Sequence, residues 1–512
     1  MKYTRKPVEY YFQEKHQAKD IGKKSIRAYL FTAGTNGIKF FINIASVAIL
    51  ARLLLPEDFG YVAMAAAFVS TPKMVSGQYL SLGIVQAISI SPNQVNGFFW
   101  ISLGLTLVLT FLSVVSAPLV AWFFEEPLLT NIVLVMILMI FLTGLSAPHH
   151  ALLTRTLQFG IISMIDLGAR IISKIAAIGL AFLGAGYWAL VAMPVSYEAS
   201  RTVFLWCFCT FKPKCEKIDP GSRSLFSLGT ALSGTAIISS IVSEIDKIVI
   251  GKFLNSYSLG LYSKAHNLGE LPGKFVAWPL GSIAVSALSR LQGEKEKYRQ
   301  FFLTMSEGYF FVIAFLMVPI YLSCEDIVLL VLGKNWQECI PILKYLTIFF
   351  LFKHLVRPIF WFLTSTYQSG SNLNKIFIFS IAGNIFNVVG ILAGIHWGTV
   401  GISVGLAISA IGFFIGACAS VFHKTMISTR AFLKILWKTI VAVMLTVFLW
   451  HLLQNHYDMT ISSNVLSILF ATGFSFAVYC LSFLCLPGGK KSAMEMGAAI
   501  QAIRKKKNKN FH

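Results

Sequence analysis

The chain has 512 residues, of which 56% are hydrophobic and only 13% charged, with a mean hydropathy of +0.70. A soluble domain carries nearly twice that charged share, about 25%, so a soluble globular class is excluded. The formal charge of +21 would suggest nucleic acid in a soluble chain. Here the cations gather beside apolar blocks, so anionic membrane lipids are the expected partner and nucleic acid is not.

Residues 1–27 are polar and basic, without the short apolar core and small-residue cleavage site of a signal peptide, and read as a cytoplasmic segment. Apolar blocks follow, and roughly 18–28 residues each is the length that crosses a hydrocarbon core about 30 Å thick. They fall near 28–52, 60–85, 97–122, 128–147, 161–184, 187–210, 225–250, 259–287, 301–322, 340–365, 376–396, 399–421, 435–453 and 464–487. A β-barrel would instead show alternating strands of about 10 residues. The expected fold class is therefore an all-α polytopic membrane protein with about fourteen transmembrane helices.

The spans divide into an N-lobe at 28–210 (spans one to six) and a C-lobe at 225–421 (spans seven to twelve). A cytoplasmic linker at 211–224 joins them, two further spans lie within 435–487, and a basic cytoplasmic tail covers 488–512. With the N-terminus inside, the inner connections are rich in Lys and Arg, whereas the outer loops hold only Arg52, Lys252 and Lys334. That bias predicts a multi-pass protein with both termini in the cytoplasm. The tail run Arg504-Lys505-Lys506-Lys507 is expected to touch anionic headgroups.

The lobes echo one another. Ala51-Arg52-Leu53-Leu54-Leu55-Pro56-Glu57-Asp58-Phe59-Gly60 and Gly251-Lys252-Phe253-Leu254-Asn255-Ser256-Tyr257-Ser258-Leu259-Gly260 occupy the same place in their halves. With six spans per half the repeats run parallel, which implies a pseudo-twofold along the membrane normal and a binding site between the halves. Pro72, Pro194, Pro272, Pro279, Pro319 and Pro358 interrupt spans. Each frees backbone groups that neighbouring helices or water must satisfy.

Charged residues inside the spans are the main functional signal. They include the cations Lys39, Lys73, Arg170, Lys174, Arg201, Lys247, Lys264, Lys274, Lys344, Lys353 and Arg357. A cation at the bilayer centre costs roughly 2.5–3.5 kcal/mol on insertion scales, so such groups pair, face the bundle interior or line a watery cavity. In span five, Asp166, Arg170 and Lys174 step by four and share a face, either through an Asp166–Arg170 salt bridge or as a cavity lining. Glu198 and Arg201 in span six are an expected i,i+3 pair. Asp246 in span seven, beside Glu244 and Lys247, is a candidate to pair a lysine or to bind a coupling cation. His266–Glu270 and Glu270–Lys274 in span eight lie at i,i+4 and would form one polar ridge near Lys264. Lys353 and Arg357 in span ten also share a face, a cationic stripe for an anionic substrate unless the two snorkel to an interface. The acids Asp166, Glu198, Glu244, Asp246, Glu270 and Glu307 are too few to neutralise these cations. The expected cavity is net positive and attracts anions.

No catalytic pattern is present: there is no phosphate-binding glycine loop, no metal-spaced His/Cys cluster and no Ser–His–Asp set, so neither an enzyme nor a metal or cofactor is expected. His149-His150 read as a surface pair. Cys324 and Cys339 share one predicted outer loop, where a disulfide is conceivable.

The segments Ala51–Tyr61, Asp246-Lys247-Ile248-Val249-Ile250-Gly251-Lys252 and Leu259-Gly260-Leu261-Tyr262-Ser263-Lys264-Ala265 resemble Wzx-type polysaccharide flippases. These belong to the multidrug/oligosaccharidyl-lipid/polysaccharide exporter superfamily. Leu271-Pro272, Ala287-Leu288-Ser289-Arg290-Leu291-Gln292, Gly333-Lys334-Asn335-Trp336 and His396-Trp397-Gly398-Thr399-Val400-Gly401 extend the likeness over nearly the whole chain, closest to the colanic-acid-exporter-like branch. Ser286 departs from the pattern, where many relatives have proline. The resemblance implies a V-shaped, two-lobed exporter in the bacterial inner membrane. It would move undecaprenyl-diphosphate-linked oligosaccharide for surface polysaccharide biosynthesis, alongside polysaccharide polymerase machinery. Lys353, Arg357, Arg170, Lys174 and Lys264, with His266 nearby, would then face the diphosphate. The alternatives are a flippase for the peptidoglycan precursor, a drug/cation antiporter of the same superfamily, which needs an acidic cavity, and a membrane glycan polymerase, which needs a large outer loop.

Overall fold

The computed structural model describes residues 7–12, 18–215, 219–274, 278–366, 371–422, 425–456, 464–492 and 494. Among these, all regular structure is helical. The basic run Arg504–Lys507 and the basic residues at 1–6 lie outside the described residues. The chain divides into two compact units, residues 1–260 and 261–512.

The first unit contains α1 (Ala18–Leu53), α2 (Pro56–Met74), α3 (Leu82–Gln86), α4 (Pro92–Phe124), α5 (Leu128–Met136), α6 (Leu138–Arg155), α7 (Phe159–Phe182), α8 (Tyr187–Phe208), α9 (Pro220–Val242) and α10 (Ile245–Phe253). The helix starts follow local chemistry. Ser91 Oγ accepts the Gln94 N–H at 3.2 Å while Gln94 Oε1 accepts the Ser91 N–H at 3.0 Å, and Pro92 takes the first helical position of α4. At α2, Asp58 accepts the Leu55 N–H at 3.0 Å, again behind an N-terminal proline. The predicted second span is not one helix. Beyond Pro72 the chain widens into a π turn at Val75–Tyr79 and then restarts as α3. The guanidinium of Arg155 donates to the carbonyls of Ile84, Ala87 and Ile88 at 2.6–3.0 Å, which satisfies the end of α3.

The two echoing segments pack directly on one another within this unit. A Cβ on Gly60 would sit 1.8 Å from the Ser256 carbonyl oxygen, and a Cβ on Gly260 would sit 1.9 Å from that of Pro56. The contact is reciprocal, and only glycine lets two backbones approach so closely.

The helix α11 (Ser256–Gly269) runs across the boundary between the units. The second unit continues with α12 (Trp278–Arg290), α13 (Lys295–Leu322), α14 (Cys324–Val331), α15 (Cys339–Leu355), α16 (Arg357–Ser365), α17 (Ser371–Gly394), α18 (Gly398–Val421), α19 (Thr429–His456) and α20 (Asn464–Cys485). A core of Ala314, Ala442, Tyr479 and Phe483 welds α13, α19 and α20 together, so the two predicted C-terminal spans are integral to this unit. Lys438 donates to Glu307 Oε1 at 2.8 Å across the α13–α19 contact.

Eight segments among the described residues are long and apolar enough to cross a membrane, one of them spanning both α17 and α18. That is fewer than the expected fourteen. The charged helix α7 lies outside the set, because Asp166, Arg170 and Lys174 share one 24-residue helix. The eight cysteines are free thiols. Cys324 and Cys339 each donate to a main-chain carbonyl, of Ile320 and Leu261, and do not form the conceivable disulfide.

Candidate functional site

The first unit brings its charged residues into one network. Glu198 on α8 accepts from Lys73 on α2 at 2.6 Å and approaches Arg201 at 4.0 Å, so the expected Glu198–Arg201 pair exists but is the weaker of the two. Asp166 on α7 accepts from Arg201 Nε at 3.1 Å and forms an ion pair with Lys39 on α1 at 3.8 Å, and the Tyr197 hydroxyl lies 3.4 Å away. The Asp166–Arg170 salt bridge, one of the two readings open for this face, is not formed among the described residues, and these contacts take its place. Helices α1, α7 and α8 pack together, which puts the Arg201 fork and the Lys39 stem within reach of the carboxylate. Glu198 is 4% exposed at its side chain, a depth at which an unpaired carboxylate would be prohibitive.

The remaining cations of α7 stand apart from the acids. The Arg170 guanidinium lies 5.5 Å from the centre of the Tyr197 ring, and its buried Nε has no hydrogen-bond partner. Lys174 is only 8% exposed, and its ammonium donates to the thioether of Met193 at 3.2 Å, a weak acceptor. Among the described residues neither has a carboxylate within 4.0 Å. Lys39, Lys73, Arg170, Lys174 and Arg201 therefore outnumber Asp166 and Glu198 by three charges. A cavity of about 490 Å³ opens on Lys73, His150, Tyr197, Glu198 and Arg201. Its walls are polar enough to hold water or an anionic group.

His150 and Tyr197 were missing from the residues expected at a site. His149-His150 is not a surface pair. His149 is fully buried, with its ring 4.4 Å from that of Trp206, while His150 faces the cavity. Successive side chains on a helix point about 100° apart, which sends the two rings to different surroundings.

In the second unit Glu270 is the centre. It accepts from Lys274 at 2.7 Å, the expected i,i+4 pair, and forms a looser ion pair with Lys353 on α15 at 3.9 Å. The Lys353 ammonium also lies over Phe349 and Phe350, and the His266 ring meets Phe350 edge-on at 4.9 Å. Lys353 and Arg357 belong to successive helices, because the chain is interrupted at Val356 ahead of Pro358. Lys344 lies over the Tyr321 ring at 5.3 Å. Asp246 accepts the N–H of Lys247, whose ammonium pairs instead with Glu244 at 2.6 Å. The residues expected at the site are contributed by both units. Asp166, Arg170, Lys174 and Glu198 belong to the first unit with Asp246, and Lys264, His266, Glu270, Lys353 and Arg357 to the second.

Long apolar helices packed around charged residues define a multi-pass helical membrane protein. The fold matches lipid II flippase MurJ in an inward closed conformation with a TM-score of 0.71, over 89% of this chain and 98% of MurJ at 16% identity. It also matches an inward-facing multidrug resistance MATE family transporter of the MOP superfamily, with a TM-score of 0.56 over 75% of this chain and 94% of that one at 14% identity. The chain belongs to the polysaccharide biosynthesis protein family, whose profile matches residues 49–341. Its relatives include the succinoglycan biosynthesis transport protein ExoT of Rhizobium meliloti (strain 1021), 25% identical over 65% of this chain and 66% of that protein. They also include the teichuronic acid biosynthesis protein TuaB of Bacillus subtilis (strain 168), 22% identical over 54% of this chain and 57% of that protein. The lipopolysaccharide biosynthesis protein WzxC of Escherichia coli (strain K12) is 22% identical over 66% of this chain and 69% of its own. The chain thus spans less than two thirds of the length of the first two relatives.

Proposed function

We propose that this protein is a flippase that carries undecaprenyl-diphosphate-linked oligosaccharide across the bacterial cytoplasmic membrane for surface polysaccharide biosynthesis. The observation that carries the reading is the cation pair Arg170 and Lys174, four residues apart on α7, Lys174 buried and Arg170 half-buried with a buried, unpartnered Nε, and no carboxylate within 4.0 Å of either among the described residues. Protein folding alone gives no reason to bury uncompensated cations, since each costs several kcal/mol. An anionic group that visits the site repays that cost, and a diphosphate offers the charge. Family membership and the names of the relatives support a glycan as the cargo.

In this reading both termini are cytoplasmic. Residues 28–210 and 225–421 act as lobes joined at 211–224, and alternating access of the lobes moves the head group while the lipid chain stays in the bilayer. The second unit's Lys264, His266, Glu270, Lys353 and Arg357 receive the same head group, and Asp246 is a candidate coupling residue.

The test is deletion of the gene followed by lipid extraction, then complementation with wild type, Arg170→Ala plus Lys174→Ala, or Lys353→Ala plus Arg357→Ala. The expected result is accumulated lipid-linked oligosaccharide and lost surface glycan in the deletion strain. Neither double variant restores export, although both insert at normal levels. An unchanged lipid pool in the deletion strain rejects the flippase reading. Full complementation by either variant removes that pair from the site.

A further inference from the structure

One cavity of the second unit is lined by none of Glu270, Lys274 and Lys353. It has a volume of about 810 Å³ and lies among α13, α16, α17 and α18. Its walls are apolar, with Phe362, Phe379, Phe386 and Phe413 among them. Two cations mark one end: Lys295, which opens α13, and Lys375, one turn into α17. Both are exposed, and among the described residues neither has a carboxylate within 4.0 Å. The groove follows α17 from Lys375 to Phe386, eleven residues, or about 16 Å at the rise of an α-helix. That length matches the hydrocarbon depth of a single leaflet, about 15 Å.

The shape has a local cause. At the far end of the hairpin α17 and α18 meet through glycines: a Cβ on Gly394 would lie 2.2 Å from the Gly401 carbonyl oxygen. At the lysine end small residues leave a trough instead. Gly416 and Ala417 line it, and a Cβ on Gly416 would meet no atom within 4 Å.

We infer that this groove is a binding site for one acidic membrane phospholipid, with an acyl chain along α17 and its phosphate between Lys295 and Lys375. Charge complementarity joins with length: two exposed ammonium groups, with no carboxylate within 4.0 Å among the described residues, line an apolar trough one leaflet deep. A zwitterionic lipid offers the same chain but no net charge for the lysines. The site is separate from the transport reading and stands or falls without it.

The test uses the full-length protein in nanodiscs of equal phosphatidylglycerol and phosphatidylcholine, with the retained lipid read by native mass spectrometry after release into detergent. Wild type is expected to retain phosphatidylglycerol in preference. Lys295→Glu plus Lys375→Glu is expected to lose that preference by about tenfold or more, since each lysine near the surface contributes to anionic-lipid attraction. Gly416→Leu is expected to lose retention of either lipid with both lysines intact. Open space around Gly416 lets that variant fold, and a thermal unfolding midpoint near wild type checks it. Equal retention of both lipids by wild type overturns the proposal. So does a preference that survives both variants, or displacement of phosphatidylglycerol by an equal amount of a polyprenyl phosphate, which would make a polyprenyl chain the occupant.

Discussion

Glu198 and Lys174 show opposite solutions to burying charge. Glu198 is held by Lys73 and Arg201. Removing one member of such a buried pair leaves the others uncompensated, at about 3–5 kcal/mol. Glu198→Gln should therefore lower the amount of folded protein in the membrane, read by fluorescence size-exclusion profiles of a tagged chain. Among the described residues Lys174 has only the Met193 thioether as a partner, so its ammonium works against folding. Lys174→Met, of similar volume, should leave the unfolding midpoint unchanged or raise it while export falls sharply. A midpoint lowered by several degrees would show that Lys174 holds the fold together. The wish of Asp166 and Glu198 for a cation was legible along the chain. The choice of Arg201 and Lys39 by Asp166, and of Lys73 by Glu198, was not, because those partners arrive on other helices.

At the scale of elements, the crossing of the two echoing segments is the tightest contact described. Gly60→Ala and Gly260→Ala each place a methyl group inside a carbonyl oxygen of the facing backbone. Each should reduce folded yield strongly, whereas Gly179→Ala, with open space around it, should not. Comparable yields for all three would mean that the junction relaxes freely. The turn between α4 and α5 is tied more loosely. Glu125 accepts from Lys252 at 2.7 Å, and this hydrogen bond and charge hold its carboxyl below the usual value of 4.5. A lowered carboxylate stabilises the fold above its unfolded pKa and loses that contribution as the pH falls through its folded pKa. Wild type and Glu125→Gln should thus differ slightly at pH 7 in low salt and converge in acid or in high salt, since the pair is exposed. A difference that grows toward acid pH would contradict the pairing.

At the scale of the molecule, each compact unit carries its own charged group, buried to half-buried around Asp166 and Glu198 in the first and centred on Glu270 with the exposed Lys274 and Lys353 in the second. The second unit extends to α20. Lys438 joins Glu307 to the Ser492 hydroxyl, and the Ser467 hydroxyl donates to Asp326 at 2.6 Å. A chain cut before α19 would strand Glu307, only 7% exposed at its side chain, without its cation. Such a truncation should fail to accumulate, and Lys438→Met with Glu307→Leu, which removes both charges together, should accumulate better than Lys438→Met alone. Equal levels for the two variants would assign the role of α19 and α20 to apolar packing alone.

The sequence pattern by itself determined that this chain is a helical membrane protein with more cations than acids inside its apolar spans. Those are sums over the sequence, and hydrophobic blocks and charge counts survive any arrangement of the helices. Spacing also determined the local pairs, such as Glu270 with Lys274, because a helix fixes which residues four apart are neighbours. Only the tertiary structure decided which cations are neutralised. Lys73, Lys39 and Arg201 reach acids on other helices, whereas Arg170 and Lys174 on the same α7 face do not. It alone placed His150 in the cavity and buried His149. Pairing across helices depends on distances of a few ångströms between segments far apart in sequence, and Coulomb attraction in a dry interior is decided by those distances.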